Sequence, residues 1–359
     1  MRVRRRRSQY IFAPEKQGVS GRSVLLWTSV FLLLAAATVF TVNFVMDHQV
    51  VFHKQTVTVQ NLPDELENWT ILHFSDLHGR ELGEDQAAIR AAIKDQAYSS
   101  VVFTGDMIGE NGDLQPFLDL VALLPEKTPK LYVPGDSDPE MLDAAAHGSL
   151  SVYADWAVRL QDAGVTLLDE PICFTRGKSS IWFIPEYLYS LDLDSMEDAY
   201  QRQLEQLSGS VILTPDQAAQ KRVCQHHLAR IERIRTVKKS LTEKDIQIAL
   251  THTPVTRDYV TTMLSWRDKS EIFSLRHVSL VLAGHYCAGQ WRLPGLGALY
   301  VPDYGFFPDD SLITGLSYIA GIPQYISPGL GASDYYAWQP GRVFNSPTVT
   351  MIALTSRIQ

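Results

Sequence analysis

The chain has 359 residues, 45% hydrophobic and 20% charged, enough for one large domain or two small ones and incompatible with a disordered chain. Residues 1–23 carry seven Lys/Arg against Glu15, a balance of +6; with a whole-chain charge of −8, the remainder is −14. An acidic body argues against sequence-independent nucleic-acid binding, which needs a basic face to release counterions.

In chain order, the first element is an apolar stretch, Val24 to Met46, with no charge in 23 positions. That length spans a bilayer core as a single helix. A buried core helix would show a polar face, and a signal peptide would have a shorter apolar region followed by a small-residue cleavage site. Neither feature is present, so the segment reads as an uncleaved anchor. Cationic flanks stay on the cytoplasmic side, which predicts residues 1–23 inside and the body outside.

The body opens with a strand over 48–59, a turn at Asn61-Leu-Pro63 and a short apolar strand over 70–74. Helical spacing follows over 84–98, then a strand over 100–103, a helix over 114–124 and a strand over 130–133. This alternation predicts βαβ units and a largely parallel sheet. Residues 138–160 read as helical with a break near Gly148, and short strands follow at 165–168, 172–175 and 180–184. The polar segment 191–244 reads as helical, broken around Gly209 and Pro215. It serves either as a lid over a site or as packing on the edge of the fold. Its His226-His227 pair points two ways on a helix and is read as surface. Strands at 246–250, 278–282 and 348–354 complete the pattern, with Gly- and Pro-rich turns after Gln290.

Several strands end on a side chain of metal-ligand type. These are Asp76 and His78 in Phe74-Ser-Asp-Leu-His-Gly79, Asp106 in Thr104-Gly-Asp106, and Asp136 in Gly135-Asp-Ser-Asp138. Later come His252 in Leu250-Thr-His252, then His285 and Cys287 in Gly284-His-Tyr-Cys287. Carboxylates, imidazoles and a thiolate together suit divalent transition metals, and strand ends are where α/β folds gather a site. Asp-x-His directs two side chains to one face of an extended segment, and a carboxylate has two oxygens with which to join two ions. Two metals would favour phosphate-ester hydrolysis. If Cys287 is a ligand, Cys173 and Cys224 remain; they are either a disulfide or free thiols.

These motifs, in this order, resemble the calcineurin-like metallophosphoesterases, and the body is similar to their membrane-anchored bacterial branch. The resemblance is most specific in Ser75-Asp-Leu-His-Gly79, Thr104-Gly-Asp106 and Gly284-His-x-x-x-Gly-Gln290, and it extends over about residues 50 to 355 apart from the helical insertion at 191–244. It implies a four-layer sandwich of two mixed β-sheets flanked by helices, here a domain over 47–359 behind one transmembrane helix. It also implies two divalent ions, Zn, Fe or Mn. Asp76, His78, Asp106 and the position of Cys287 would hold the first, and Asp106, Asp136, His252 and His285 the second. A metal-bridging hydroxide would then attack a phosphate mono- or diester.

The sequence departs from the family at three places. Asp136 stands where the family has an amide ligand, and Cys287 where it has a histidine. Ser137 stands where it has the histidine that assists the leaving group, so no catalytic acid is carried over. A thiolate shifts metal preference toward Zn or Fe and away from Mn and Mg. The anchor points to a lipid or envelope-derived phosphate ester as substrate, and Trp291, Tyr300, Tyr304, Phe306 and Phe307 line its mouth or belong to the core. The competing readings are a pseudoenzyme that binds metal or phosphate without turnover, and an envelope scaffold.

Overall fold

The computed structural model describes residues 21–108, 112–143, 151–208, 212–266, 270–333 and 341–357. Nearly all of the Arg-rich tail, and the expected helix breaks at Gly148 and Gly209, therefore lie outside the described residues. The described residues form two units, one ending at Phe44 and one beginning at Val45. The first consists of most of helix α1 (Gly21–His48), whose mean hydropathy reaches 2.2 and which has no buried residue. It is long and apolar enough to cross a membrane.

The second unit holds two six-stranded mixed sheets. Strands β1 (Val51–Thr58), β2 (Thr70–Phe74), β3 (Ser100–Thr104), β4 (Lys130–Val133) and β5 (Thr166–Leu167) join the last strand, β16 (Thr348–Thr355), in the order β1-β16-β2-β3-β4-β5. Only the β16–β2 pair is antiparallel. The other sheet combines β6 (Ile172–Arg176), β7 (Ser179–Pro185), β8 (Ile246–Leu250) and β9 (Val278–Ala283). Between β9 and the last two members come the short hairpins β10–β11 (Arg292–Leu293, Gly297–Ala298) and β12–β13 (Tyr300–Val301, Gly305–Phe306). Strands β14 (Gly315–Ile319) and β15 (Ile322–Ile326) complete the order β14-β15-β9-β8-β7-β6.

Successive strand residues point to opposite faces, and this alternation builds the layers. Ile71, Val102, Leu131 and Ile352 of the first sheet meet Ile181, Phe183, Ile248 and Leu280 of the second in one buried cluster. On the outer face of the first sheet, Leu72, Phe74, Val101 and Phe103 pack on Ile89 and Ile93 of α2 (Ala87–Ile93), Phe117 and Leu120 of α3 (Gln115–Ala122), and Leu160 of α4 (Asp155–Asp162). The outer face of the second sheet is covered by a hairpin of two long helices, α5 (Leu193–Ser208) and α6 (Pro215–Ser240), and by α7 (Arg257–Trp266). Ile231 and Ile234 of α6 join Ile184, Ala249 and Val281 in the core there, so the helical insertion supplies a structural layer of the sandwich. The expected four-layer architecture is the observed one.

Two local expectations are corrected and one is met. Residues 138–143 are bends and a bridge from Leu142 to Tyr153, not helix. Asp138 precedes Pro139, which disfavours helical backbone, and its carboxylate is occupied in a loop described below. The break expected in the 191–244 segment is present, since α5 ends at Ser208 and α6 begins at Pro215, which takes its first turn. Thr214 Oγ1 accepts from Gln217 N and Gln217 Oε1 accepts from Thr214 N, a reciprocal cap. His226 and His227 are half-buried: His226 lies 3.5 Å from Asp169 and His227 stacks on Tyr200 at 4.5 Å. All three cysteines are free.

His73 on β2 is fully buried, with Nε2 2.8 Å from Thr104 Oγ1 and Nδ1 without a partner. Burial pushes it down to about 3 from the usual 6.5. The folded ring thus stays neutral where the unfolded one takes a proton, and stability falls as pH drops from 6.5 toward 3. Denaturant titrations should show a loss of about 1 kcal/mol per pH unit from this group between pH 6 and 4. His73→Gln, which does not titrate, should flatten the profile by that amount; an unchanged slope would assign the acid sensitivity elsewhere.

Candidate metal centre

The sheets deliver their strand ends to one place, and the chain turns sharply on leaving each strand. Asp76, His78, Asp106, His285 and Cys287 all have positive φ, between 47° and 81°. Non-glycine residues adopt this region at a cost of about 1–2 kcal/mol each, so its concentration in this set marks a site held by its surroundings. Glycine provides the clearance. A Cβ on Gly135 would lie 2.1 Å from Asp106 Oδ1, and one on Gly105, at φ +82°, 2.6 Å from His252 Nδ1. Gly135→Ala should therefore displace Asp106 and weaken metal binding by about 10- to 100-fold, measured by equilibrium titration with Zn²⁺. Unaltered affinity would mean that Asp106 does not contribute.

All seven residues expected from the sequence converge. Potential ligand atoms of Asp76, His78 and Cys287 lie within 4.8 Å of one another, as do those of Asp136, His252 and His285, and those of Asp76, Asp106 and His252. Asp106 stands between the groups, with Oδ2 3.2 Å from His252 Nε2 and 3.7 Å from His78 Nε2. His252 Nδ1 lies 2.8 Å from the Thr104 carbonyl, which fixes the ring and turns Nε2 inward. His285 Nδ1 lies 3.1 Å from His252 Nε2 and 3.4 Å from Asp136 Oδ2. Cys287 Sγ lies 3.9 Å from His78 Nε2. Asp136 is the exposed member, and Asp76, His78, Asp106, His252 and Cys287 are buried.

The electrostatics show what the cluster lacks. Asp76 Oδ1 accepts from His285 N at 2.9 Å, but Oδ2 is buried with no partner, and burial raises its carboxyl. Burial also raises the Cys287 thiol well above its usual value. For His252 burial opposes the charge, yet the hydrogen bond to Asp106 and the carboxylates of Asp76 and Asp106 outweigh it and raise the ring to about 9. Burial likewise works against ionised Asp106, but His252 prevails and holds it down to about 2. A proton on His252 thus sits where the carboxylates call for positive charge. An orphaned buried carboxylate oxygen beside imidazoles and a thiol fits divalent cations of the Zn or Fe type.

The supporting residues were largely hidden in the sequence. Asp138 is a brace: its Oδ2 accepts from Gly135 N at 2.9 Å and Tyr132 Oη at 2.7 Å, and its Oδ1 from Ile108 N at 2.8 Å. Ser137 donates to Asp106 twice, from N at 2.8 Å and from Oγ at 3.2 Å. Fully buried Arg342 donates to the carbonyls of Gly331, Pro328 and Asn345, while Asn345 Nδ2 donates to Cys287 O at 2.9 Å. These bonds fasten the turn that carries Cys287.

A strand-end cluster of carboxylates, imidazoles and a thiol between two stacked mixed sheets is the architecture of a metal-dependent phosphoesterase. Residues 70–288 match the calcineurin-like phosphoesterase family, and the chain belongs to it. The match begins at β2 and ends just past Cys287, so it contains every candidate ligand. No curated protein matches the chain. Among solved structures, a phosphopantetheinyl hydrolase from Mycobacterium tuberculosis is similar over 73% of this chain and 91% of its own. Identity there is 13% and the TM-score 0.36, too distant to bear on substrate.

Proposed function

We propose that the protein is a membrane-anchored hydrolase of phosphate mono- or diesters with a divergent dinuclear site. The observation that carries this is the convergence of seven ligand-type side chains in three overlapping groups, with Asp76 Oδ2 buried and unpartnered, within a chain of the calcineurin-like phosphoesterase family. In this reading Asp76, His78, Asp106 and Cys287 hold one ion, and Asp106, Asp136, His252 and His285 the other. When bound, such a pair supplies an activated water and Lewis-acid stabilisation of charge on the phosphate. The chain's part is to position: Thr104 O orients His252, Ser137 and Gly135 keep Asp106 in place, and Asn345 holds the Cys287 turn. The thiolate favours Zn or Fe.

The apolar α1 supports an anchor over residues 24–46, with the basic tail on the cytoplasmic side and the domain at 47–359 outside, facing lipid or envelope phosphate esters. Tags at the two termini, probed by protease in intact cells, should report opposite sides. The second reading, a protein that binds metal or phosphate without turnover, is favoured by Ser137, which cannot protonate a leaving oxygen near neutral pH. Metal analysis together with hydrolysis of bis(p-nitrophenyl) phosphate separates the two. Turnover that EDTA abolishes and Zn²⁺ or Fe²⁺ restores supports the hydrolase. Bound metal without turnover supports the second reading, and finding neither metal nor turnover sinks the hydrolase.

A further inference from the structure

Beside the candidate metal centre lies a pocket of about 540 Å³, and the two share His285 and Cys287. Its walls are Trp291, the stretch from Leu299 to Asp303, and Phe306. The β12–β13 hairpin supplies Tyr300, Val301 and Phe306 to it, over a small core of Ala298, Val301 and Ile313 against which Tyr286 packs. The pocket is thus a built part of the fold, of a size that takes a small organic group. Its chemistry is one-sided. No Lys or Arg is among the described residues that line it, and its one carboxylate, Asp303, has Oδ2 4.0 Å from His285 Nε2 at the junction with the metal centre. A second phosphate or an acidic group would meet a negative charge there with no cation to bind it. Aromatic surface is offered instead. Phe306, next to Gly305 in the β12–β13 hairpin, is 73% exposed and its ring centroid lies 5.0 Å from that of Tyr300. Such exposed aromatic surface, continuous with a site, is characteristic of a ligand groove.

We infer that this pocket binds the organic part of the substrate, and that the substrate is a phosphate ester bearing a bulky, uncharged apolar group, aromatic or hydrocarbon chain. The inference rests on the phosphoesterase reading, since that reading places the phosphate at the metal centre, which adjoins the pocket through His285 and Cys287. Trp291 and Phe306 are then specificity-determining residues: they touch the apolar group and leave the phosphate to the metal centre.

The test uses the full chain, loaded with Zn²⁺ in lipid nanodiscs. Non-hydrolysable methyl-, hexyl- and naphthylmethylphosphonate are titrated by calorimetry, and turnover of methyl p-nitrophenyl phosphate is measured separately. The expected result is at least about 10-fold tighter binding of a bulky phosphonate than of methylphosphonate, from the apolar area buried. Phe306→Ala, a change at an exposed position, should remove most of that preference, as should Trp291→Ala. Preference for the naphthyl compound assigns an aromatic group, and preference for the hexyl compound a chain. Equal affinities, no phosphonate binding, or a preference that survives both substitutions overturns the inference. Selectivity without turnover of the methyl ester leaves the pocket and removes the hydrolase; turnover without selectivity does the reverse.

Discussion

Replacing Asp106 with asparagine should reduce phosphodiester turnover by at least about 10³-fold, and metal content should fall from two ions per chain to one or none. Asp106 has one oxygen, Oδ2, near both His252 and His78, at 3.2 and 3.7 Å, so both halves of the site draw on it. Asparagine keeps the shape and retains an oxygen to accept from Ser137 N, now at 2.8 Å from Asp106 Oδ1. The loop after β4 therefore stays in place, and the unfolding midpoint in EDTA should remain near that of the wild type. What disappears is the charge and the second donor oxygen. Parallel measurement of metal content, EDTA-state stability and turnover distinguishes loss of the site from loss of the fold. Undiminished turnover in Asp106→Asn would remove this carboxylate from the centre.

The second large effect is a gain. Ser137→His should raise hydrolysis of esters with poor leaving groups by about 10²-fold or more, the range in which a positioned general acid acts. Esters of p-nitrophenol should change far less, because that leaving group departs without a proton. Ser137 lies in the loop that donates to Asp106 from both N and Oγ. The substitution removes the Oγ bond and keeps the backbone one, so the carboxylate remains restrained. The contrast between the two leaving groups is the measurement. A uniform change, or none, would show that the Ser137 position is not that of a missing acid.

The positions of the candidate ligands were legible because each one follows an apolar strand, and strand ends are fixed by the hydrophobic alternation that builds the sheets. Phe74, Phe103 and Val133 are buried strand residues, and Asp76, Asp106 and Asp136 follow each within three positions. The sandwich was legible for the same reason, together with the family motifs. The braces were not, because they join residues far apart in the chain. Nothing near Arg342 or Asn345 signals that one is fully buried among carbonyls and that the other holds the Cys287 turn. Residues 138–143 looked helical through their spacing, but Pro139 disfavours a helix at Asp138 and a tertiary contact adds to it. The Asp138 carboxylate binds Gly135, Ile108 and Tyr132 at once. His226 looked like surface because helical geometry says nothing of a neighbour such as Asp169, 57 positions earlier and 3.5 Å away.

Cys287 is the one thiol of the candidate ligand set, and it offers the most direct reading of the whole site. Burial raises its thiol well above the usual value, so it becomes a thiolate only if a cation takes the place of its proton. Titration of the metal-free protein with Co²⁺, followed by visible absorption, reports both the number of ions and the presence of a sulfur ligand. The account predicts two ions per chain and a thiolate-to-cobalt charge-transfer band that vanishes in Cys287→Ser. Saturation below two ions, or a spectrum unaltered by that substitution, would contradict the dinuclear centre as drawn here.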